Sequence, residues 1–545
     1  MTQIITPSRR RWLIVEIALP FLFILFGFMA LFSPVLDAKF DLIDDHEILR
    51  FTADAPIHSI FGDVKDFAPP VARDYILIER ELSLGRFRPF YYVTRFVEID
   101  IFGLNPHLWH LFHIMIGVIT ATLFYMAARL AHIPRWISGA MVAFLTLQTT
   151  ATEIWFKLGP AETQGMFLTA IAVYALVYGA RKTHFSWSDA LALLALALAG
   201  WTKESFILIA PALMLMRLGL CVFENRAMPP LKIFWRLFPL WLISGALFVL
   251  QFGFVLFVVR TNYARLGNDT YNPYHWLRLL GSLAGHNISF VPMAIGITIT
   301  GVSWYQRRLR PKRLWLLICV PIFLILWIIP QFILYTNGFM GSRYVYPVIV
   351  GVILMNMLPL VTASIRYPRL TMLLVLPLMA IFGYGLVLDT HNIATRFSVN
   401  THQLNTAVSY MASNIQPDET IVIETHQVRQ YERTISLIVF LGTAGVKSPI
   451  VLHFSDGDGS VNNPTGLSFR NLLPNYELAD TTPPEQAKFV IPLLSEDTLL
   501  ENPPAWFDEA DYTRLEFSEE YSLWTVFWLP QPTVKSSFVV YERND

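Results

Sequence analysis

The chain has 545 residues, of which 54% are hydrophobic and only 15% are charged, and its mean hydropathy is +0.47. Soluble domains average about 25% charged residues, so the composition excludes an ordinary water-soluble protein and indicates an integral membrane protein. The formal net charge of zero conceals a division, because residues 391–545 hold nine Lys and Arg against 20 Asp and Glu, a net of −11, which leaves the rest of the chain at +11.

Apolar runs predict about eleven transmembrane helices. The hydrocarbon core of a bilayer is about 30 Å thick and needs about 20 apolar residues per helix. The segment 189–201 is too short to span alone, so the stretch around Trp201–Ser205 is a candidate for a broken hairpin. The predicted spans are 13–33, 108–130, 136–152, 162–180, 189–201, 205–220, 237–259, 289–304, 314–335, 345–362 and 370–389.

The basic residues predict the orientation of these spans. Lys and Arg concentrate in one set of alternate short loops, and such loops mark the cytoplasmic side. Arg9, Arg10 and Arg11 precede an apolar run longer than that of a secretory signal, which indicates a retained anchor. We therefore expect a multi-pass protein of the cell (inner) membrane with a cytoplasmic N-terminus. The loop 34–107 and residues 391–545 are expected on the periplasmic or extracellular side.

The two expected domains are a transmembrane domain over 1–390, whose loop 34–107 carries juxtamembrane helices, and a soluble α/β domain over 391–545. In the second domain, helices and β-branched runs alternate, which is typical of α/β folds. The Gly- and Asp-rich stretch 455–460 lacks the full calcium-loop pattern and is interpreted as a surface turn. Helices are predicted around 400–413 and 429–442, and strands at 420–424, 450–454, 489–494, 522–528 and 537–542.

The start of the first outer loop carries Asp44, Asp45, His46 and Glu47 in sequence. Asp44 followed three residues later by Glu47 fits a capping box at a helix start. That structural role accounts for neither Asp45 nor His46. A helix N-terminus also favours an ionised carboxylate, so Asp44 is compatible with both capping and proton abstraction.

Further candidates lie in other segments of the predicted outer face. Arg86 and Arg88 stand among aromatic residues, a composition that suits either phosphate binding or an interfacial helix. Lys203 and Glu204 interrupt an apolar stretch, where a charge is costly unless it is paired or used. Other candidates are Arg343 and Tyr344 at the start of a late span, Glu153 on the second outer loop, and the histidines His107, His110 and His113, for which packing is favoured over metal binding.

This arrangement resembles the GT-C class of glycosyltransferases. The likeness is greatest to the branch of protein O-mannosyltransferases and aminoarabinose transferases, which use polyprenyl-phosphate sugars and carry an Asp-Glu pair in the first outer loop. Here the pair reads Asp44-Asp45, a departure at the second residue. The resemblance covers roughly residues 10 to 390.

The resemblance implies transfer of a sugar from a polyprenyl-phosphate donor to an acceptor protein, lipid or glycan, with inversion at the anomeric carbon. Asp44 matches the general base, and Asp45 matches the adjacent acid. The cations Arg343, Lys203, Arg86 and Arg88 would bind the donor phosphate. Residues expected to contact sugar or acceptor are His46, Glu47, Glu153, Glu204 and Tyr344.

Some members of the class use a divalent metal such as Mg or Mn, and Asp44, Asp45 and His46 are the candidate ligands here. The first outer loop has no DxD triplet, which disfavours a metal. Membrane lipids are expected partners, and nucleic acids are not. Two alternatives stay open at this point: a transporter or flippase of a lipid-linked glycan, and a non-catalytic scaffold of the same fold.

Overall fold

The structure is a computed structural model. It describes residues 7–42, 45, 48–49, 87–147, 149–225, 227–259, 290–305, 322–323, 325–331, 346–425, 431–454, 478–479, 487–493, 499–500, 503–504, 506–525 and 530–544.

In the described part of the chain, thirteen α-helices with defined bounds come before the C-terminal sheet. They are α1 Pro7–Phe32, α2 Pro89–Phe102, α3 Pro106–Leu130, α4 Arg135–Thr146, α5 Thr149–Phe156, α6 Glu162–Gly179, α7 Trp187–Thr202, α8 Ala210–Glu224, α9 Pro230–Arg236, α10 Phe238–Phe254, α11 Phe290–Tyr305, α12 Tyr346–Arg366 and α13 Pro368–Asn414.

Five stretches of the described residues are long and apolar enough to cross a membrane. They are Ile17–Asp37, Pro106–Leu130, Glu204–Glu224, Phe238–Val259 and Pro368–Asn414. Their side chains explain the assignment, since many large apolar groups such as Phe23 and Leu250 face outward, where a bilayer would cover them. The count of eleven spans stays a prediction, while the membrane character is confirmed.

The interruption predicted near residues 201–205 is present. Helix α7 ends at Thr202, Lys203 is extended with φ −157° and ψ 132°, and a 3₁₀ helix over Glu204–Ile209 leads directly into α8. Lys203 and Glu204 are both buried, at 7% and 5% exposure. The charged pair therefore lies where regular helix stops and the backbone changes direction.

Helix α13 corrects one prediction. A span at 370–389 and a separate helix around 400–413 were expected, but both belong to one helix of 47 residues. The sequence between them, from Thr390 to Val399, is polar enough to leave the membrane and contains neither proline nor glycine. Nothing in this stretch breaks the helix, so it continues out of the apolar zone.

The C-terminal part contains a six-stranded mixed sheet. Its strands are β1 Ile421–Thr425, β2 Ile450–Phe454, β3 Leu478–Ala479, β4 Phe489–Pro492, β5 Tyr512–Ser522 and β6 Thr533–Arg543, and helix α14 Tyr431–Thr443 connects β1 to β2. The strand order is β3-β2-β1-β4-β6-β5. The first four strands are parallel, and β6 joins β4 antiparallel.

Most strand predictions are confirmed, and one is wrong. A strand was expected over 522–528, but the hairpin strand β5 ends at Ser522 and residues 523–525 are irregular. Strand β5 was missed because acidic and hydroxyl residues dominate Tyr512–Ser522, since one face of the β5–β6 hairpin is solvated. The predicted surface turn at 455–460 lies outside the described residues.

One hydrophobic cluster joins the first loop to the C-terminal sheet. It contains Phe40 and Leu49 from the loop, Tyr92 from α2, Met411 from α13, and Ile423 from β1. Because these residues pack in one cluster, the beginning of the first loop and the C-terminal sheet lie at the same end of the helical body. Tyr91, Tyr92 and Leu158, which lie at the candidate site, belong to the same cluster.

Candidate functional site

Helix α2 forms one wall of the candidate site. Pro89 occupies its first turn, where a missing N–H costs nothing, and Gly103 ends it with a positive φ of 53°. The helix buries Tyr91, Tyr92 and Arg95. Tyr91 donates a hydrogen bond of 2.7 Å to the carbonyl oxygen of Gly159, which ties α2 to the turn before α6.

Arg95 is the central cation of this wall, and it is only 1% exposed. Its guanidinium donates to the carbonyl oxygen of Leu158 and, at 3.3 Å, to the hydroxyl of Tyr91. It also lies 3.2 Å from the Glu98 carboxylate and 5.1 Å from the ring centre of Trp109. The guanidinium group is planar and carries five N–H donors, so it can contact several partners at once. Arg95 therefore connects α2, α3 and the 158–159 turn.

Glu98 and Gln164 extend this network to α6. Gln164 donates to the Glu98 carboxylate at 2.9 Å and accepts from Thr94 at 2.6 Å. Burial raises the pKa of Glu98, while Arg95 and the hydrogen bond from Gln164 oppose the rise. The network locks the start of α6 against α2.

Arg88, a predicted phosphate ligand, lies at the beginning of the same helix. Its guanidinium is 5.2 Å from the ring centre of Tyr91 and 5.7 Å from that of Tyr92, and it donates to the Tyr92 hydroxyl at 3.2 Å. The side chain is half-buried. Stacking on two tyrosines orients the guanidinium and leaves part of it open to solvent.

Lys203, the second predicted cation within the described residues, is paired. Its ammonium group donates to the carboxylate of Glu162, and the two side chains are 9% and 2% exposed. The sequence left open whether Lys203 pairs with Glu204 or with another acid, and the structure selects Glu162. Glu204 is buried beside it, and its Oε2 has no hydrogen-bond partner among the described residues.

The first-loop segment meets this wall from the other side. Asp45 is 1% exposed; its carboxylate accepts the backbone N–H of Asp41 at 2.7 Å, and its carbonyl oxygen accepts the N–H of Ile48 at 3.0 Å. The expectation that Asp45 lacks a structural role is therefore wrong, because it closes the turn that starts this segment. The backbone N–H of Lys39 donates to Thr401 on α13 at 2.9 Å, which attaches the segment to the long helix.

Three of the remaining described candidates have structural partners. Glu153 lies 3.6 Å from Lys157 as a partly exposed pair one helical turn apart. His110 is fully buried, and its Nδ1 donates at 2.9 Å to the carbonyl oxygen of Phe156, as packing predicted. His107 similarly bonds to the carbonyl oxygen of Leu36.

Six predicted site residues lie outside the described residues: Asp44, His46, Glu47, Arg86, Arg343 and Tyr344. Their assignments remain predictions. Two of the three candidate metal ligands, Asp44 and His46, are in this group. Within the part of the chain that the structure describes, no group of three His, Cys, Asp or Glu side chains is arranged to hold a metal ion.

The predicted site did not include Glu162, Arg95 or Glu98, although the sequence places Arg95 near Arg86 and Arg88 among aromatic residues. One signal pointed to Glu162: a lysine inside an apolar stretch needs an acid, and Glu162 opens another apolar helix at the same predicted face. Arg95 and Glu98 were not predicted to be buried, because opposite charges three residues apart on a helix are common on solvated surfaces. Their burial depends on the packing of α2, which no local pattern reveals.

Comparisons with known proteins find similarity to solved structures alone. No family model and no curated protein matches the chain. Among solved structures, ArnT from Cupriavidus metallidurans bound to undecaprenyl phosphate aligns over 97% of both chains, with 14% identity and a TM-score of 0.45. The apo state of the same protein aligns over 98% of both chains, with 14% identity and a TM-score of 0.43.

An oligosaccharyltransferase from Archaeoglobus fulgidus is also similar, with 12% identity and a TM-score of 0.41 over 78% of this chain and 64% of that one. Similarity of this size does not assign the chain to a family.

Proposed function

We propose that the chain is a glycosyltransferase that moves a sugar from a polyprenyl-phosphate donor to an acceptor at the outer face of the membrane. The observation that carries the proposal is the group of ionisable side chains buried where the first loop, α2 and the break at Lys203 meet. Burying charges in a membrane protein is costly, and such groups most often serve a substrate or ion. The group consists of Arg95, Glu98, Glu162, Lys203 and Glu204.

The proposed chemistry needs few groups. A sugar on a lipid phosphate already carries its leaving group, so the protein must supply a positioned base and cations near the departing phosphate. Asp44 would take the proton of the acceptor, and the buried Asp45 beside it would set the position of that segment. Arg88 and the predicted Arg86 and Arg343 would offset the phosphate charge.

Lys203 has a more specific part in this proposal. Its ammonium group is buried, is paired with Glu162, and lies at the point where the helix is broken. A donor phosphate that approached this break would compete with Glu162 for the ammonium. The negative charge of the phosphate would then take the place of the Glu162 carboxylate beside the Lys203 ammonium.

A transporter of lipid-linked glycans is the second candidate, and the placement of charges argues against it. Transporters place their ionisable groups near the bilayer midplane, often at broken helices in matching halves. Here the group lies at the end of the helical body that carries the sheet, with contacts from Tyr91 and Leu158, whose cluster includes strand residues. At the opposite end of α7 the described residues hold one buried pair, Asp189 with Arg217 at 2.8 Å, which caps the helix start.

The proposal is tested by comparing envelope glycans and glycoproteins by mass spectrometry in cells with and without the protein. Loss of one sugar modification, restored by the wild-type chain and not by Asp44→Asn, is the expected result. Glu224→Gln, at the end of α8 beside His132, serves as the control and should restore the modification. An unchanged glycan profile in cells lacking the protein, with the chain normally expressed in the parent, would count against a transferase.

A further inference from the structure

The C-terminal sheet has a second polar site that the proposed transfer reaction does not use. Strands β1, β2 and β4 are parallel and end at the same edge of the sheet. Strand β1 lies between β2, which follows it in sequence through α14, and β4, which comes later and lies on its other side. The chain thus reverses its direction of winding between β1 and β4, and in open α/β sheets ligands bind outside the carboxyl ends of the strands at such a reversal.

Glu424 stands at this edge. It is the fourth of five residues in β1, its Cα pairs in register with those of His453 on β2 and Pro492 on β4, and it is 3% exposed. Its Oε2 is buried and has no hydrogen-bond partner among the described residues. A carboxyl group that is buried without full hydrogen bonding costs free energy, so its presence needs a reason.

His453 and Trp506 complete the site on the same face. Val422 and Val451, two residues before Glu424 and His453 on their strands, belong to the cluster that Trp506 packs against, and side chains two apart on a strand share a face. The His453 and Trp506 rings are 5.4 Å apart. In the described part of the chain, His453 Nδ1 and Trp506 Nε1 are likewise buried without a hydrogen-bond partner.

Three neighbouring side chains, including the half-buried indole of Trp506, thus each keep a hydrogen-bonding atom without a partner in the described part of the chain. A carboxyl group accepts hydrogen bonds from hydroxyls, an imidazole donates or accepts, and an indole offers an apolar face with a donor at its edge. Sugars have the complementary character, with hydroxyls around the ring edge and C–H groups on its faces. A divalent cation fits less well, because only two of the three groups are metal ligands.

We propose that Glu424, His453 and Trp506 form a saccharide-binding site at the carboxyl edge of the C-terminal sheet. Glu424 and His453 hydrogen-bond ring hydroxyls, and Trp506 packs against the sugar. The site lies on the opposite face of β1 from Ile421 and Ile423, which pack in the cluster shared with α2 and α13. It is therefore separate from the candidate transfer site and does not depend on that assignment.

The test measures binding of glucose, galactose, mannose and N-acetylglucosamine to the full-length protein in nanodiscs by saturation-transfer NMR. Binding of at least one sugar, weakened at least tenfold by Glu424→Gln and by Trp506→Phe, is the expected result. Glu520→Gln, at an exposed glutamate on β5, is the matched control and should bind as the wild type does.

The two variants separate loss of binding from loss of folding. Trp506→Phe preserves an aromatic ring in the cluster, so it tests the site even where Glu424→Gln fails to fold. Hydrogen exchange of the sheet amides monitors folding in each variant. Three results would each overturn the proposal. They are binding of none of the four sugars by the folded wild type, binding by both folded variants that equals that of the wild type, and binding of Zn²⁺ in place of sugars.

Discussion

At the scale of single residues, the candidate site is organised by charges that compensate each other within the protein. Lys203 with Glu162 and Arg95 with Glu98 are both almost fully buried. Buried pairs of this kind contribute little net stability, but removal of one partner leaves a charge without compensation. Each pair therefore constrains which substitutions the site tolerates.

The Lys203–Glu162 pair gives a quantitative prediction. Glu162→Gln should lower the free energy of unfolding by about 3–5 kcal/mol, because it leaves the buried ammonium without its carboxylate. The double variant Glu162→Gln/Lys203→Met should recover most of this loss, since it removes both charges. Unfolding in SDS, followed by circular dichroism, measures the difference.

The partly exposed pair of Glu153 and Lys157 is the control for this experiment. Glu153→Gln should cost less than about 1 kcal/mol, as solvent screens such a pair. If Glu153→Gln and Glu162→Gln lowered the free energy of unfolding equally, burial would not be the reason why loss of Glu162 is costly.

Glu424 makes stability depend on pH. Burial raises the pKa of Glu424 to about 7, above its ordinary value of 4.5. Between these two values the folded protein holds a proton that the unfolded chain has released, so stability falls as pH rises through this window. Each pH unit between the two pKa values costs about 1.4 kcal/mol. Above about pH 7 the carboxyl group is ionised in both states, and the loss is complete.

The matching variant is Glu424→Gln, which cannot ionise. It should be more stable than the wild type at pH 8 and differ less from it at pH 5, as measured by thermal unfolding of the full-length protein. His453, the neighbouring titratable group on β2, is present in both proteins, and burial lowers its pKa, so its own contribution cancels in the comparison. A difference that does not change with pH would show that Glu424 is ionised in neither state or in both.

At the scale of secondary-structure elements, close helix contacts position the break at Lys203. The 3₁₀ helix after Lys203 packs Phe206 against α6, where a Cβ on Gly165 would lie 2.2 Å from the Phe206 ring. Glycine at this position lets the two elements approach, and Glu162 lies one turn earlier on the same helix. The contact therefore sets the distance between Glu162 and Lys203.

Gly165→Ala tests this contact. The added methyl group should force Phe206 away from α6 and destabilise the protein by about 1–3 kcal/mol, the usual cost of overpacking. Gly219→Ala on α8, where a Cβ meets nothing within 4 Å, is the matched control and should be neutral or slightly stabilising. Unfolding of both variants in SDS measures their stabilities. Equal stability would show that Phe206 and α6 are not in tight contact at Gly165.

At the scale of the whole molecule, the helical body and the C-terminal sheet are packed against each other. Residues from the first loop, α2, α13 and the sheet share one hydrophobic cluster. Tyr410 on α13 also donates to Glu542 on β6 at 2.7 Å. Removing the domain would expose the apolar side of this cluster to water.

A chain truncated after Asn414 should therefore aggregate or lose the structure of its first loop. Size-exclusion chromatography in detergent and hydrogen exchange of residues 38–42 would detect these effects. A shorter deletion, which removes only the terminal Asn544 and Asp545, is the control and should leave both properties unchanged. A monodisperse truncated chain with normal exchange protection would show that the cluster is dispensable.

The sequence predicted the features that arise from local patterns. Apolar runs located the helices, the Lys203–Glu204 interruption located the broken segment, and β-branched runs located β1, β2 and β4. Long-range packing determined the rest. The partner of Lys203 is 41 residues away, the structural bond of Asp45 depends on a turn without regular pattern, and α13 is continuous because no residue stops it.

The length of α13 has a mechanical consequence. At 1.5 Å per residue, its 47 residues reach about 70 Å, more than twice the thickness of a hydrocarbon core. Only six residues separate Asn414 from the first strand residue, Ile421. The stretch 390–414 is helical throughout and offers a protease no irregular hinge. We therefore expect limited digestion of the intact protein to release no free C-terminal fragment by cleavage within 390–414.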